Sequence, residues 1–524
     1  MTGDRLQMII AMSAYMVLVI LIGLYYAKRA NESSSNFFLG GRTIGPWFTA
    51  LSAEASDMSG WLLMGLPGVA YWLGLSDAIW TAIGLAVGTY INWLLVARRL
   101  RNYSAISGDS ITIPDFLSNR FKEKNKVIMT IAAVFILVFF TVYASSCFVT
   151  VGKLFSTLFG ANYQLMMILG ALFVIFYVII GGFLAESASD FMQALVMIFA
   201  LATVVLVGTR AAGGIGNVVN NIKQIPGFFE FFGIASPTLV DDVQQLDAAG
   251  NPLFGQAGKY GFLTIISTLS WGLGYFGMPQ VLLRFMAIKN PADLGKSRKI
   301  ATVWCVVSLI AAVSIGLIGR TLYPSTFLTN TAAESIFIEI SRNLLPPLFA
   351  GIVMAGILAA TISSSDSYLL IAASAVAKNI YHGVVKKDAN DKEVMIVSRI
   401  VLILISVIGI IIGLDEKSII FKIVSFAWAG FGATFGPIML FSLFWKRTTR
   451  SGAIAGMLAG GSMVFIWKLL LNPIGGIFGI YELMPAFIIS CITIVIVSLA
   501  SKEPSVEIQN EFEKAKLDQT VAAS

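Results

Sequence analysis

The sequence predicts an all-α polytopic membrane protein of about 13 transmembrane helices, and three observations carry that reading. Hydrophobic residues make up 57% of the 524 and charged residues 12%, where soluble domains hold roughly 25% charged residues. Apolar runs of about 20 residues, the length that crosses a hydrocarbon core, recur along the whole chain. The connecting segments alternate between basic and non-basic, as the loops of a membrane protein do.

The spans fall near 6–27, 46–73, 76–97, 126–156, 162–182, 190–211, 261–283, 299–320, 343–378, 398–414, 420–445, 452–471 and 479–500. The first is too long for a signal-peptide core and lacks a small-residue cleavage site. Lys28 to Arg42, Arg98 to Lys126, Arg284 to Lys299, Lys378 to Arg399, Lys446 to Arg450 and the tail from Lys502 hold most of the 36 Lys and Arg residues. These segments share one side if the spans alternate, and the positive-inside rule makes that side cytoplasmic. The N-terminus is then outside, the C-terminus inside and the number of crossings odd. The longest outer segment, about 212–259, carries an aromatic patch, Pro226 to Gly233, suited to the headgroup boundary or to a lid. Residues 1–502 read as a single transmembrane domain. Residues 503–524 read as a short cytoplasmic tail, too small for a catalytic or signalling module.

Several function classes drop out. The net charge of +7 is spread over loops, which argues against nucleic acid. Cys147, Cys305 and Cys491 all lie in apolar spans, so buried thiols are expected rather than disulfides. A single histidine, His382, excludes a histidine metal cluster. The chain has no Walker sequence, metal triad or nucleophile elbow, so no enzyme and no catalytic residues are expected. Uphill transport would then draw on an ion gradient, in which one charge crossing ~100 mV supplies about 2.3 kcal/mol.

Candidate chemistry sits where a span departs from plain apolar helix. In 46–73, Glu54 and Asp57 stand among Ser, Gly and Ala. A carboxylate at membrane depth costs roughly 2.5–3.5 kcal/mol, a cost tolerated where the charge pairs, binds a cation or lines a wet cavity. Small residues beside it let the helix unwind and present free carbonyls. In Trp271 to Pro279, three glycines and a proline interrupt an aromatic span, and Trp271 and Tyr275 at i and i+4 are expected on one helix face. In Ala360 to Ser367, Ser363 and Ser364 offer hard neutral oxygens of the kind a monovalent cation takes, while the part played by Asp366 is left open. Glu186 to Asp190 is expected to open a span, with Ser187 or Ser189 as its cap. Asp190 as a relay for a cation is the functional alternative there. Tyr143, with Ser145 and Ser146, lies mid-span.

Gly40 to Trp47, Ser56 to Trp61, Trp271 to Pro279 and Ala427 to Pro437 together resemble the sodium/solute symporter family, with a likeness that extends to about Lys502. The resemblance implies a five-plus-five inverted-repeat core of the leucine-transporter type, with repeats at about 46–211 and 261–445. It implies a Na⁺ site formed by the carbonyls of Ala55, Met58 and Ala360 and the hydroxyls of Ser363 and Ser364. It implies proline contacts by Trp61, Tyr143, Trp271 and Tyr275 with Pro279 nearby, and coupling roles for Asp57, Ser59, Gly60, Arg42 and Asp190. Met278 and Gln280 depart from the Gln and His found beside Pro279 in some proline carriers. The expected activity is electrogenic symport of Na⁺ and L-proline across the cell membrane, with no obligate protein partner. Pantothenate, sialic acid, a sugar or another amino acid is the alternative cargo; a membrane sensor or a channel is the alternative class.

Overall fold

Within lipid the backbone satisfies its own polar groups, and long apolar segments do so as helices. The computed structural model describes residues 3–30, 32 and 34–520. Among these, ten helices are long and apolar enough to cross a membrane. They include Gly3–Ala30, Leu75–Ile106, Val127–Phe159, Leu294–Leu322, Pro347–Ser374 and Ile420–Phe444.

Two further apolar segments are interrupted. The first broken helix is Pro46–Asp57, then a wide turn Trp61–Gly65, then Leu66–Leu73. The second is Phe262–Leu269, a tight 3₁₀ stretch Ser270–Phe276, then Pro279–Ala287. The expectation of about thirteen spans counts both of these and splits 162–211 in two. The structure agrees with that split: Tyr163–Ala211 is two helices that meet at a kink, where Gly182 leaves helical geometry (φ 56°, ψ −168°). Glu186 to Asp190 therefore lies in the first two turns of the second helix, near its opening as expected. Ser187 Oγ makes no hydrogen bond and Ser189 Oγ turns back to Glu186 O (3.0 Å), so neither hydroxyl is a cap.

The connecting segments gather at two ends. At one, Arg42 meets Asp109, Asn379 meets Asp115, and Glu123 meets Arg450, so the basic segments form one continuous surface. At the other lie Ile215–Ile222 and two short antiparallel strand pairs, Gly233–Ile234 with Gly258–Lys259 and Leu239–Val240 with Val243–Gln244. The aromatic patch divides here: Phe228 is buried, whereas Phe231 and Phe232 are exposed beside Trp80. The tail is not featureless, since Val506–Thr520 is a helix packed on the basic end.

Pro347–Ser374, buried along nearly its whole length from Ala350, is the central post. Tyr163–Ala211, Val127–Phe159 and the first broken helix pack around it. Leu75–Ile106 approaches the second broken helix through glycine: a Cβ on Gly272 would lie 2.2 Å from Gly84 O. Small residues at such contacts let helix backbones close on one another without a solvent-driven force.

Candidate cation and substrate site

The first helix breaks because Met58 leaves helical geometry (φ −87°, ψ 63°) and Ser59 N turns to Asp57 O (3.1 Å). Ala55 O thereby loses its normal helical donor, which would have been Ser59 N. It faces the central post instead, where Ser363 Oγ and Ser364 Oγ donate to it at 2.8 and 3.3 Å. Ser363 Oγ also lies 3.2 Å from Ala360 O. Two hydroxyls and two carbonyls thus converge between two helices with no anionic ligand among them. This donor set suits a hard monovalent cation, toward which each hydroxyl can turn its oxygen. Gly60 lets the break lie close against Val127–Phe159 as well: a Cβ there would lie 2.5 Å from the Thr150 side chain.

Asp57, the last residue before the break, is 4% exposed. Its Oδ2 accepts from Tyr275 Oη (2.8 Å) and its Oδ1 from Gln280 Nε2 (3.4 Å). Both donors belong to the second broken helix, Tyr275 in its 3₁₀ stretch and Gln280 at the start of Pro279–Ala287, so one carboxylate pins the two breaks together. The N-terminus of Pro279–Ala287 adds a favourable dipole for that charge. Glu54 is also buried, and its Oε2 has no hydrogen bond.

Beside this pair lies a chamber lined by Asp57, Met58, Trp61, Leu85, Tyr143, Trp271, Val424 and Trp428. Its free volume is about 10 Å³, because the rings close on one another. The Trp61 and Trp271 centroids are 5.6 Å apart, and Phe421 lies 5.4 Å from Trp271. Above it a vestibule of about 420 Å³ reaches down to Trp271 and Phe421. Tyr143 stacks on Tyr368 of the central post (4.2 Å). Pro279 is buried but does not line the chamber.

The shared face expected for Trp271 and Tyr275 is not found. Their segment winds as a 3₁₀ helix, in which residues four apart diverge by about a third of a turn. Trp271 stacks on Tyr481 (5.1 Å), while Tyr275 turns to Asp57 and meets Trp428 edge-on (5.1 Å).

Asp190 and Arg42 lie outside the chamber. Asp190 Oδ2 accepts from Ser52 Oγ (2.7 Å) and Arg284 Nη2 (3.1 Å). Arg284 also donates to Glu186 and to Ser367 Oγ (2.8 Å), so four segments meet at one fully buried guanidinium. This network lies between the serine pair and the basic end. Arg284, which the sequence puts at the start of a basic loop, lies in the core. A lone arginine following an apolar interruption was the available signal, along with the acids of the 186–190 motif. Arg42 sits at the basic end, where it donates to Asp109 Oδ1 (3.0 Å), Ser110 O (2.7 Å) and Met286 O (2.7 Å). Burial lowers its pKa from the usual guanidinium value, and the Asp109 charge opposes that shift.

Paired broken helices, a hydroxyl-lined oxygen cluster and an aromatic chamber between them define a secondary transporter. The model of the sodium:solute symporter family matches residues 37–460, and the chain belongs to that family. It is 40% identical over 516 residues to the sodium/proline symporter of Staphylococcus aureus (strain USA300 / TCH1516), with 97% of this chain and 96% of that protein covered. The corresponding protein of strain JH9 is likewise 40% identical over 516 residues. In fold it resembles a substrate-bound, outward-open Na⁺-coupled sialic acid symporter (TM-score 0.76, 17% identity, 95% of this chain and 99% of that chain covered). A nucleobase-cation-symport-1 family transporter in a closed conformation aligns with TM-score 0.53 at 13% identity, covering 93% and 100% of the two chains. The protein is a multi-pass, Na⁺-coupled solute symporter with a leucine-transporter-like core, and Na⁺ is its co-transported ion.

Proposed function

We propose that the chain takes up L-proline with Na⁺ across the cell membrane by alternating access, with its N-terminus outside and the basic end in the cytoplasm. In this reading residues 1–502 form the transport domain, with repeats at about 46–211 and 261–445. The observation that carries it is the Ala55 carbonyl, released by the break and met by Ser363 and Ser364. Na⁺ binds there through the carbonyls of Ala55, Met58 and Ala360 and the two hydroxyls. By bridging the first broken helix and the central post, it favours the arrangement in which both are held together. Ser59 and Gly60 allow the break, and Asp57 carries the change to Tyr275 and Gln280 on the second broken helix. Proline then enters among Trp61, Tyr143, Trp271 and Tyr275, with Pro279 nearby. Its compact apolar ring suits aromatic walls, whereas a sugar would need more polar side chains. The 40% identity to a sodium/proline symporter supports this cargo over pantothenate or sialic acid.

The test is uptake of radiolabelled proline into proteoliposomes under an inward Na⁺ gradient, with pantothenate, sialic acid, glucose and other amino acids as competitors. Inhibition by excess unlabelled proline alone supports the reading. A solute that competes better than proline replaces proline as the cargo.

A further inference from the structure

The transport cycle as described makes no use of residues 503–520, yet part of this segment is built into the basic end. Phe512 is 5% exposed and Ala515 is fully buried. The Phe512 ring meets Tyr103 edge-on, with centroids 6.3 Å apart. The guanidinium carbons of Arg99 and Arg120 lie over it at 4.8 and 5.4 Å. Arg120 is 1% exposed and its two terminal nitrogens make no hydrogen bond, so the ring is one of the few partners this buried charge has.

The same two arginines reach a third element. Arg99 Nε donates to Leu443 O and Arg120 Nε to Ser442 O (3.1 Å), at the last turn of Ile420–Phe444. Acidic residues of the tail extend the contact on both sides. Glu511 and Glu507 pair with Lys122, the latter at 3.7 Å, and Glu513 pairs with Lys446 (3.3 Å). Arg447 reaches Glu503 (3.6 Å).

The elements held together here also frame the substrate chamber. Along Leu75–Ile106, Asn92 Nδ2 donates to Tyr275 O (3.0 Å). Along Ile420–Phe444, Trp428 Nε1 donates to Trp271 O (2.8 Å). In this arrangement the Arg284 network closes the path toward the basic end, while the vestibule on the other side reaches Trp271.

We propose that the tail helix Val506–Thr520 is a strap that holds the ends of Leu75–Ile106 and Ile420–Phe444 together while the cytoplasmic side is shut. Opening to the cytoplasm requires the strap to yield, and losing Phe512 leaves the Arg120 charge with only the rings of Tyr103 and Phe121. Of the acids in the flanking ion pairs, Glu503, Glu507 and Glu513 have exposed side chains and Glu511 a half-buried one, so the pairs are screened by salt to different degrees, those of Glu503, Glu507 and Glu513 most. Ionic strength at the cytoplasmic face thus tunes how readily the carrier opens inward. The cargo and the sidedness rest on the function proposed above.

The test uses the full-length protein, the variants Phe512→Ala and Glu511→Lys, and two readouts. The first is hydrogen–deuterium exchange of residues 506–516 in about 0.01 M and about 1 M choline chloride, between which the Debye length falls from about 30 Å to about 3 Å. The second is efflux of radiolabelled proline from loaded proteoliposomes at the same two choline chloride concentrations, with Na⁺ held at one fixed low concentration on both sides. In the wild type the tail amides should be protected at low salt and less so at high salt, with efflux rising roughly threefold or more. Both variants should show the faster efflux already at low salt. Unprotected tail amides in the wild type, or low-salt efflux unchanged in both variants, overturns the strap. Absence of Na⁺-driven proline uptake in the wild type instead overturns the functional reading, while exchange still reports whether the tail docks.

Discussion

Replacing Ser363 and Ser364 with alanine, singly and together, probes the oxygen cluster with the smallest change of volume. Both side chains are fully buried, and each contacts Ala55 O, at 2.8 and 3.3 Å. The shorter contact makes Ser363 the more costly loss. A hydroxyl interacting with a charged group contributes about 1.5–3 kcal/mol net. At about 1.4 kcal/mol per decade, one deletion raises the half-saturating Na⁺ concentration roughly tenfold and the pair about 100-fold. Folding is affected less in the single variants, because Ala55 O keeps the hydroxyl of the other serine; the double variant leaves it without either, at about 1–3 kcal/mol. The assay is ²²Na binding to purified protein together with the Na⁺ dependence of proline uptake, with Ser364→Thr as the variant that keeps its oxygen. Wild-type Na⁺ dependence in the double alanine variant would refute the ligand assignment.

Other consequences follow from the same geometry. Tyr275→Phe removes the 2.8 Å donor to Asp57 and should lower kcat/KM for proline about fivefold, from ~1 kcal/mol of lost hydrogen bonding, with expression unchanged. Gly60→Ala drives a Cβ to within 2.5 Å of Thr150, and overpacking of about 1–3 kcal/mol should lower Tm measurably; Gly60→Ala combined with Thr150→Ala should regain part of the loss. Arg284→Gln strands Glu186 and Asp190 in the core, so it should destabilise the protein by about 3–5 kcal/mol, and adding Asp190→Asn should restore part of that in a thermal melt.

How far the site could be read from sequence depended on how much each residue stood out from its surroundings. Asp57 and the serine pair are polar groups inside apolar spans, a cost that marks them in any alignment-free reading. The interruptions at Ser59–Gly60 and at Gly272–Pro279 follow from residues that weaken a helix. Arg284 was hard to tell from a loop residue, because a basic residue near the end of an apolar run looks like the start of a loop; only its place after an interruption set it apart. Trp428 and Phe421 were missed for the opposite reason: aromatic residues in an aromatic-rich span carry no local contrast, and their place over Trp271 is set by tertiary packing. The i, i+4 argument for Trp271 and Tyr275 assumed α geometry in a stretch whose glycines let it tighten to 3₁₀. The tail helix escaped notice since Phe512 and Ala515 are too few to give a clear apolar period.

The coupling itself is tested most directly by ²²Na uptake into proteoliposomes held at zero membrane potential, measured with and without proline outside. The account predicts that proline elicits ²²Na entry and that Asp57→Ala abolishes the stimulated component. Equal ²²Na entry with and without proline, or accumulation of proline when choline replaces Na⁺ on both sides, would contradict it.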